Sequence, residues 1–301
     1  MYFSELPNHN MSAIERQLHY NKFQKHNIIY EAKTTFSFCE DHVGCLSIKT
    51  MLRGEEWYRI DGREIVVRPG QFLILNNDQA YACNISSDVP VKTLSVFFKR
   101  QFAAAVLREL TSSEDCLLDN PFDYNEKLPE FFQTLNGIDS SFQQQLASLL
   151  TVLHTNNNQE NLSDEHLIFI LQHLITVHKN EVRKLNNIDA VKQSTKMEIF
   201  KRLCTAKDFL HATFMDAPDL ESISKTACLS VPQLVRQFKT VFHCTPYQYL
   251  IQLRMSYAKE LLKGSDKSIH EISWLSGFEN FSAFCRAFKN QFGAQPSCFR
   301  N

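Results

Sequence analysis

The sequence lacks several things, and each absence narrows what the chain can be. No stretch of its 301 residues approaches the roughly 18 unbroken apolar residues of a membrane-crossing helix. The first twenty residues, MYFSELPNHNMSAIERQLHY, hold neither the basic start nor the apolar run of an export signal. A cytoplasmic protein with no membrane partner is therefore expected. Nine cysteines are scattered (Cys39, Cys45, Cys83, Cys116, Cys204, Cys228, Cys244, Cys285 and Cys298) with no Cys-x-x-Cys pair among them. An odd, dispersed set in an intracellular chain points to reduced, mostly buried thiols, not to a disulfide frame or a metal site.

Histidine is missing from the whole stretch between His42 and His154. A metal-dependent enzyme built on strands gathers several neutral imidazoles around its ion, so this gap argues against such an enzyme. His166, His173 and His178 fall in one helical stretch without the i, i+4 spacing of a ligand pair and read as ordinary helix residues. No cofactor and no catalytic group is called for.

A strong excess of one charge is also missing, since the net charge is only −1. The distribution matters more than the total. From residue 195 onward there are 14 Lys and Arg against 9 Asp and Glu, and before it 18 against 24. An acidic first part and a basic last part suit a regulatory half joined to a half that meets phosphates. With 44% hydrophobic and 22% charged residues, the composition is that of a globular protein large enough for two cores.

Residues 30–100 read as strands. Ile65 and Val67, then Phe72 and Ile74, alternate with other side chains. Asp61-Gly62 marks a two-residue hairpin between WYRI and REIVV, and Pro69-Gly70 a turn before QFLIL. Short strands joined by such turns predict an antiparallel barrel or jelly roll. Beyond residue 100 the pattern turns helical: 141–154 and 163–179 carry apolar residues at spacings of three and four, including Leu167, Ile170, Leu171, Leu174, Ile175 and Val177. The polar stretch 181–195 is the expected linker, between a strand-rich domain with helices (1–180) and an all-helical domain (196–301).

The last hundred residues contain one pattern twice. At an offset of fifty, Arg236 matches Arg286, Phe238 matches Phe288, Lys239 matches Lys289, Phe242 matches Phe292 and Pro246 matches Pro296. Repetition of this kind means one supersecondary unit used twice. Helices are expected near 231–242 and 281–292, with Leu234, Phe238, Phe242 and Phe284, Phe288, Phe292 buried. Ser230 to Gln233 and Ser268 to Glu271 are capping-box patterns that would start helices. A long helix over 247–264 separates the two copies.

In a helix-turn-helix, the second helix enters the major groove of DNA and its early residues meet base edges. The side chains expected on that exposed face are Pro232, Val235, Arg236 and Lys239 in the first copy, and Phe281, Ser282, Cys285, Arg286 and Lys289 in the second. Arginine can bind guanine O6 and N7 with two hydrogen bonds or clamp a phosphate. The lysines suit phosphate contacts, which position without specifying.

The segment from Arg254 to Arg300 resembles the second half of the AraC/XylS-type regulator domain, through Arg254, Ala258, Leu261, Leu262, Ile269, Gly277, Phe278, Ser282, Phe284, Arg286, Phe288, Lys289, Pro296, Phe299 and Arg300. The chain departs from that family's usual residues at Ser224 and Ser273, where a small alanine is usual, and at Pro232 and Val235, which suit thymine methyls better than hydrogen-bonded readout. The strand-rich half resembles the cupin-like sensors joined to this regulator type. The resemblance implies a sequence-specific, ligand-responsive transcription regulator acting as an activator, with double-stranded DNA, a small-molecule effector, RNA polymerase and a second copy of the chain as partners. Helices 141–179 are the expected dimerisation elements. Trp57, Tyr58, Asn77, Asp78, Gln79 and Tyr81 mix aromatic and hydrogen-bonding groups as small-molecule pockets do and are the candidate effector contacts. The competing reading is a cupin-type binding protein or enzyme with an accessory DNA-binding domain.

Overall fold

The computed structural model describes residues 1–7, 21–113, 115, 119, 129–155, 164–216 and 218–300, so Cys116 lies outside the described residues. The chain divides into two compact units, Met1–Arg183 and Lys184–Asn301. The first holds an eight-stranded sheet made of β1 (Tyr2–Phe3), β2 (Ile28–Val43), β3 (Ser47–Arg53), β4 (Glu56–Ile60), β5 (Arg63–Val67), β6 (Gln71–Leu75), β7 (Ala80–Phe97) and β8 (Leu135–Gly137). β7 is its spine. One half pairs β2 and β4, and the other half pairs β2 and β3; all these pairings are antiparallel. Register shifts in β2 between Thr34 and Phe36, and between Cys39 and His42, bend the long pair.

The Asp61-Gly62 hairpin is present: both residues have positive φ (49° and 75°), as a tight two-residue turn between twisted strands requires. The alternation read at β5 and β6 is incomplete, because Val66 and Leu73 are as fully buried as their neighbours. Each face of the sheet has something to pack against. Ile65, Val67, Leu73 and Leu75 face an inner cluster with Tyr58 and Tyr81. Phe72 and Ile74 meet helices on the other face.

Those helices are α1 (Arg100–Thr111), α2 (Ser140–Thr155) and α3 (Asp164–Asn186). Phe142, Leu146 and Leu149 of α2 and Leu167, Ile170, Leu171 and Leu174 of α3 join the sheet residues in one core. Stacking of Phe142 on His173, with ring centroids 4.0 Å apart, explains a histidine on that face. Val177 is only partly buried. The residues expected to link the domains are the last turn of α3, a bend and the start of α4 (Gln193–Thr213), with Leu185 and Ile188 buried among them.

The second unit is helical: α4, α5 (Leu220–Thr226), α6 (Val231–Phe242), α7 (Pro246–Gly264), α8 (Ile269–Leu275), α9 (Phe281–Phe292) and a final 3₁₀ turn, Pro296–Phe299. In α4, Phe200, Leu203, Ala206 and Leu210 are buried, as is Phe214 just beyond it, whereas Ile199 is half-exposed. The Ser268–Glu271 capping box forms in full. The one expected at Ser230 does not: Ser230 occupies the N-cap without a side-chain bond, and Pro232 in the first turn has no N–H to offer. Thr245 and Gln248 form a box at the start of α7 instead.

Candidate nucleic-acid interface and sensor cavity

Two helix pairs, α5–α6 and α8–α9, share the long helix α7. At 1.5 Å per residue its 19 residues span about 28 Å. Its first half serves one pair, with Tyr249 edge-on to Phe238 at 5.7 Å. Its second half serves the other, where Met255, Ala258 and Leu262 pack on Ile272, Phe284 and Phe288. The rod thus belongs to both cores, which fixes each helix pair against it.

The internal repeat is less regular than a single offset of fifty. That offset holds for α6 and α9, but α5 and α8 begin 49 residues apart, at Leu220 and Ile269. The second turn is one residue longer. The left-handed residue that closes the first helix of each pair follows the shorter offset, Cys228 (φ 51°) answering to Gly277 (φ 79°).

Helices α6 and α9 both begin and end where the sequence pattern puts them. Leu234, Phe238, Phe284 and Phe288 are fully buried. Phe242 and Phe292 are only half-buried, because each sits in the last helical turn at the edge of its core. Each meets an ammonium group there, Lys207 at 5.7 Å and Lys259 at 4.6 Å from the ring centroids.

On the opposite face the two helices match position by position. Pro232 and Ser282, Arg236 and Arg286, Lys239 and Lys289 are exposed in equivalent pairs. Val235 and Cys285, expected to be exposed, are both half-buried, since each follows a core residue and flanks its stripe. Burial pushes the Cys285 thiol pKa up. Phe281 is 39% exposed and stacks on His270 at 5.3 Å, with Phe284 behind it. The side chains of Arg236, Lys239, Arg286 and Lys289 make no hydrogen bond or ion pair among the described residues. Four unpaired cations on two equivalent faces are free to meet phosphates or base edges.

The six sensor candidates do not form one site. Tyr58 and Tyr81 line a small internal cavity of about 40 Å³ in the sheet domain. Trp57 lines an outer groove on the other face of β4. Asn77 accepts the Leu46 amide at 2.7 Å, Asp78 pairs with Arg100, and Gln79 reaches Asp61 and Gln133; all three do structural work in the loop before β7.

The cavity instead brings in residues that the sequence reading passed over: Lys49, Glu56, His42, Cys39 and Cys83. Lys49 is 3% exposed, its ammonium 3.5 Å from the Phe97 centroid and 5.5 Å from that of Tyr81. Desolvation lowers its pKa to about 8, against the pull of Glu56. Burial pushes the Tyr58 and Tyr81 hydroxyls well above their usual range. The missed signal was strand parity: Glu56 shares a face with Tyr58, and Cys83 with Tyr81.

Comparisons with known proteins agree with this division. Residues 29–171 match the family described as the AraC-like ligand binding domain, and residues 223–301 match a helix-turn-helix domain family. Among curated proteins, the HTH-type transcriptional activator RhaS of Escherichia fergusonii is 31% identical over 162 residues, 53% of this chain and 54% of that protein. The Msm operon regulatory protein of Streptococcus mutans is 32% identical, over 38% of this chain and 40% of that protein. An uncharacterized HTH-type transcriptional regulator of Escherichia coli, YdiP, is 34% identical over 31% and 30%. The chain thus spans between about a third and a half of these relatives' length. Solved structures similar to it include the DNA-binding domain of AdpA in complex with a target DNA (28% identity, 33% of this chain and 89% of that chain, TM-score 0.31). ToxT of Vibrio cholerae with bound unsaturated fatty acid is 14% identical over 91% of this chain and 94% of that chain, with a TM-score of 0.35. No helix among the described residues is long and apolar enough to cross a membrane.

Proposed function

We propose that this chain, which belongs to the AraC family by both of its domains, is a sequence-specific transcription regulator acting on promoter DNA. The observation that carries the reading is the equivalence of the two exposed faces, 232/236/239 and 282/286/289, on helices braced by one rod. Helices α6 and α9 enter successive major-groove segments of one duplex. Arg236 and Arg286 read bases or clamp phosphates there, while Lys239 and Lys289 hold the backbone. Ser282 and Phe281 lie at the start of α9, where contact with base edges is closest. Pro232 and Val235 give the first helix an apolar tip suited to thymine methyls.

The sheet domain, which matches an AraC-like ligand binding domain, senses a small molecule. A ligand acts on transcription only by its differential affinity for two arrangements of the protein. Activation, as in the printed name of the RhaS relative, is the proposed outcome, with RNA polymerase as the further partner in the cytoplasm. Pairing of two chains through α2 and α3 has Phe169, 40% exposed on α3, as its candidate contact.

The test is selection of genomic fragments by the full chain, followed by measurement of affinity for the enriched sequence and for scrambled DNA. An enriched motif with two half-sites about one helical turn apart, bound at least a hundredfold tighter than scrambled DNA, is expected. Equal affinity for both would overturn the reading.

A further inference from the structure

Cys39 on β2 and Cys83 on β7 stand directly opposite each other in the antiparallel register. Neither is in a disulfide, and their thiols hydrogen-bond to each other. Parity puts both side chains on the inner face, in a row with Tyr58, the β4 partner of Cys83. Both thiols line the internal cavity. Directly opposed residues of an antiparallel pair have Cα atoms about 4.5–5.5 Å apart, inside the 4.4–6.8 Å range that a disulfide spans. No backbone segment has to be carried across the domain to join them.

Access is also built in. Cys83 is half-buried and borders a groove on the outside of the domain beside Trp57 and Asn84, as well as the cavity. Cys83 is the less buried of the two, Cys39 being buried, so the first attack is assigned to Cys83. The ammonium of Lys49 lies close enough to act electrostatically on both sulfurs and favours their thiolates. The shared hydrogen bond and burial work the other way and keep the Cys83 proton on, so exchange with a disulfide is slower here than at an exposed thiol.

We propose that Cys39 and Cys83 are an oxidation site, converted by a low-molecular-weight disulfide into an intramolecular cross-strand bond at the edge of the sensor cavity. The Cys83 sulfur attacks one sulfur of the small disulfide RSSR. An S–S bond to Cys83 forms, the RS–SR bond breaks, and the first RS⁻ leaves with the Cys83 proton as RSH. The Cys39 sulfur then attacks Cys83, and the second RS⁻ leaves with the Cys39 proton. Two protein thiols are oxidised, one RSSR is reduced to two RSH, and the atoms balance. The closed bond ties β2 to β7 beside the irregularity between Cys39 and His42 and removes both thiols from the cavity wall. The inference goes beyond the DNA-binding reading and does not depend on it.

The experiment exposes the native full chain to excess 2-hydroxyethyl disulfide, alkylates the remaining thiols and maps cysteine peptides without reduction. Most of the Cys39 and Cys83 should appear as one linked peptide pair, lighter than the reduced pair by two hydrogens and released by dithiothreitol. The Cys39→Ser chain should instead carry Cys83 as the mixed disulfide with mercaptoethanol. The proposal fails if Cys39 and Cys83 are both recovered alkylated after exposed Cys228 and Cys298 have been consumed. Linkage of either one to a third cysteine overturns it as well. Mapping of the unsubstituted protein decides the matter even if the serine variant does not fold.

Discussion

The guanidinium of Arg254 fills the space left by the missing side chain of Gly277: a Cβ there would lie 2.8 Å from Arg254 Cζ. Arg254 Nε also donates to the Phe214 carbonyl at 2.8 Å, and the guanidinium lies over the Phe278 ring. One buried cation on α7 thereby joins the end of α4 to the turn of the second helix pair. Gly277 is needed twice over, for this space and for its φ of 79°. Gly277→Ala should destabilise the protein by about 1–3 kcal/mol, read as a lower urea midpoint at unchanged slope. An unchanged midpoint would show that the turn yields without cost.

Cys228 holds the same place in the first turn at φ 51°, with a side chain where its counterpart has none. A left-handed conformation costs a non-glycine residue on the order of 1 kcal/mol. Cys228→Gly should therefore raise stability by up to about 1 kcal/mol. A lowered melting temperature would mean that the exposed thiol makes a contact worth more than the relief.

How much of this was legible in the sequence varies from residue to residue. The ends of α6 and α9 could be read because aromatic spacing and the repeat agreed on them. The 49-residue offset of α5 and α8 was overlooked, although Ser224 and Ser273 already stand 49 apart, because the aromatics that set the offset of fifty lie beyond the turn. The hairpin at Asp61-Gly62 was readable because its backbone demands those residue types. The cavity was not, because membership depends on which face of each strand turns inward, and bulges in β2 reset that parity. Trp57 and Asn77 looked like pocket residues by chemistry alone; one lies on the outer face and the other caps a loop amide. Lys49 and Glu56 drew no reading from the sequence, and only the register puts them inside.

Glu31 offers a pH test of the sheet domain. Burial alone would raise its carboxyl pKa, but hydrogen bonds from Lys92 (2.6 Å), His154 (2.7 Å) and Tyr2 (3.0 Å) outweigh that and hold it below the ordinary 4.5. A carboxylate with a depressed folded-state pKa contributes stability above its unfolded value, and that contribution is lost as pH falls through the folded value. Glu31→Gln should therefore lower the melting temperature at pH 7. The gap between variant and parent should close as the pH drops below about 4.5. A gap that stays constant down to strong acid would remove the ionic role of Glu31.

If α6 and α9 enter DNA as proposed, the equivalence of Arg286 and Lys289 with Arg236 and Lys239 allows two kinds of contact to be told apart. A side chain that reads a base loses discrimination when removed, while one that holds a phosphate weakens all sequences alike. Arg286→Ala should cost about 1–3 kcal/mol on the selected operator and much less on scrambled DNA. Lys289→Ala should weaken both equally and reduce the slope of log K against log salt by about 0.9. Because α9 carries hydrogen-bonding Ser282 where α6 carries Pro232, Arg286→Ala should lose more discrimination than Arg236→Ala. Equal losses at the two arginines, with no change in the ratio of operator to scrambled affinity, would make both of them phosphate clamps and leave base reading to other residues.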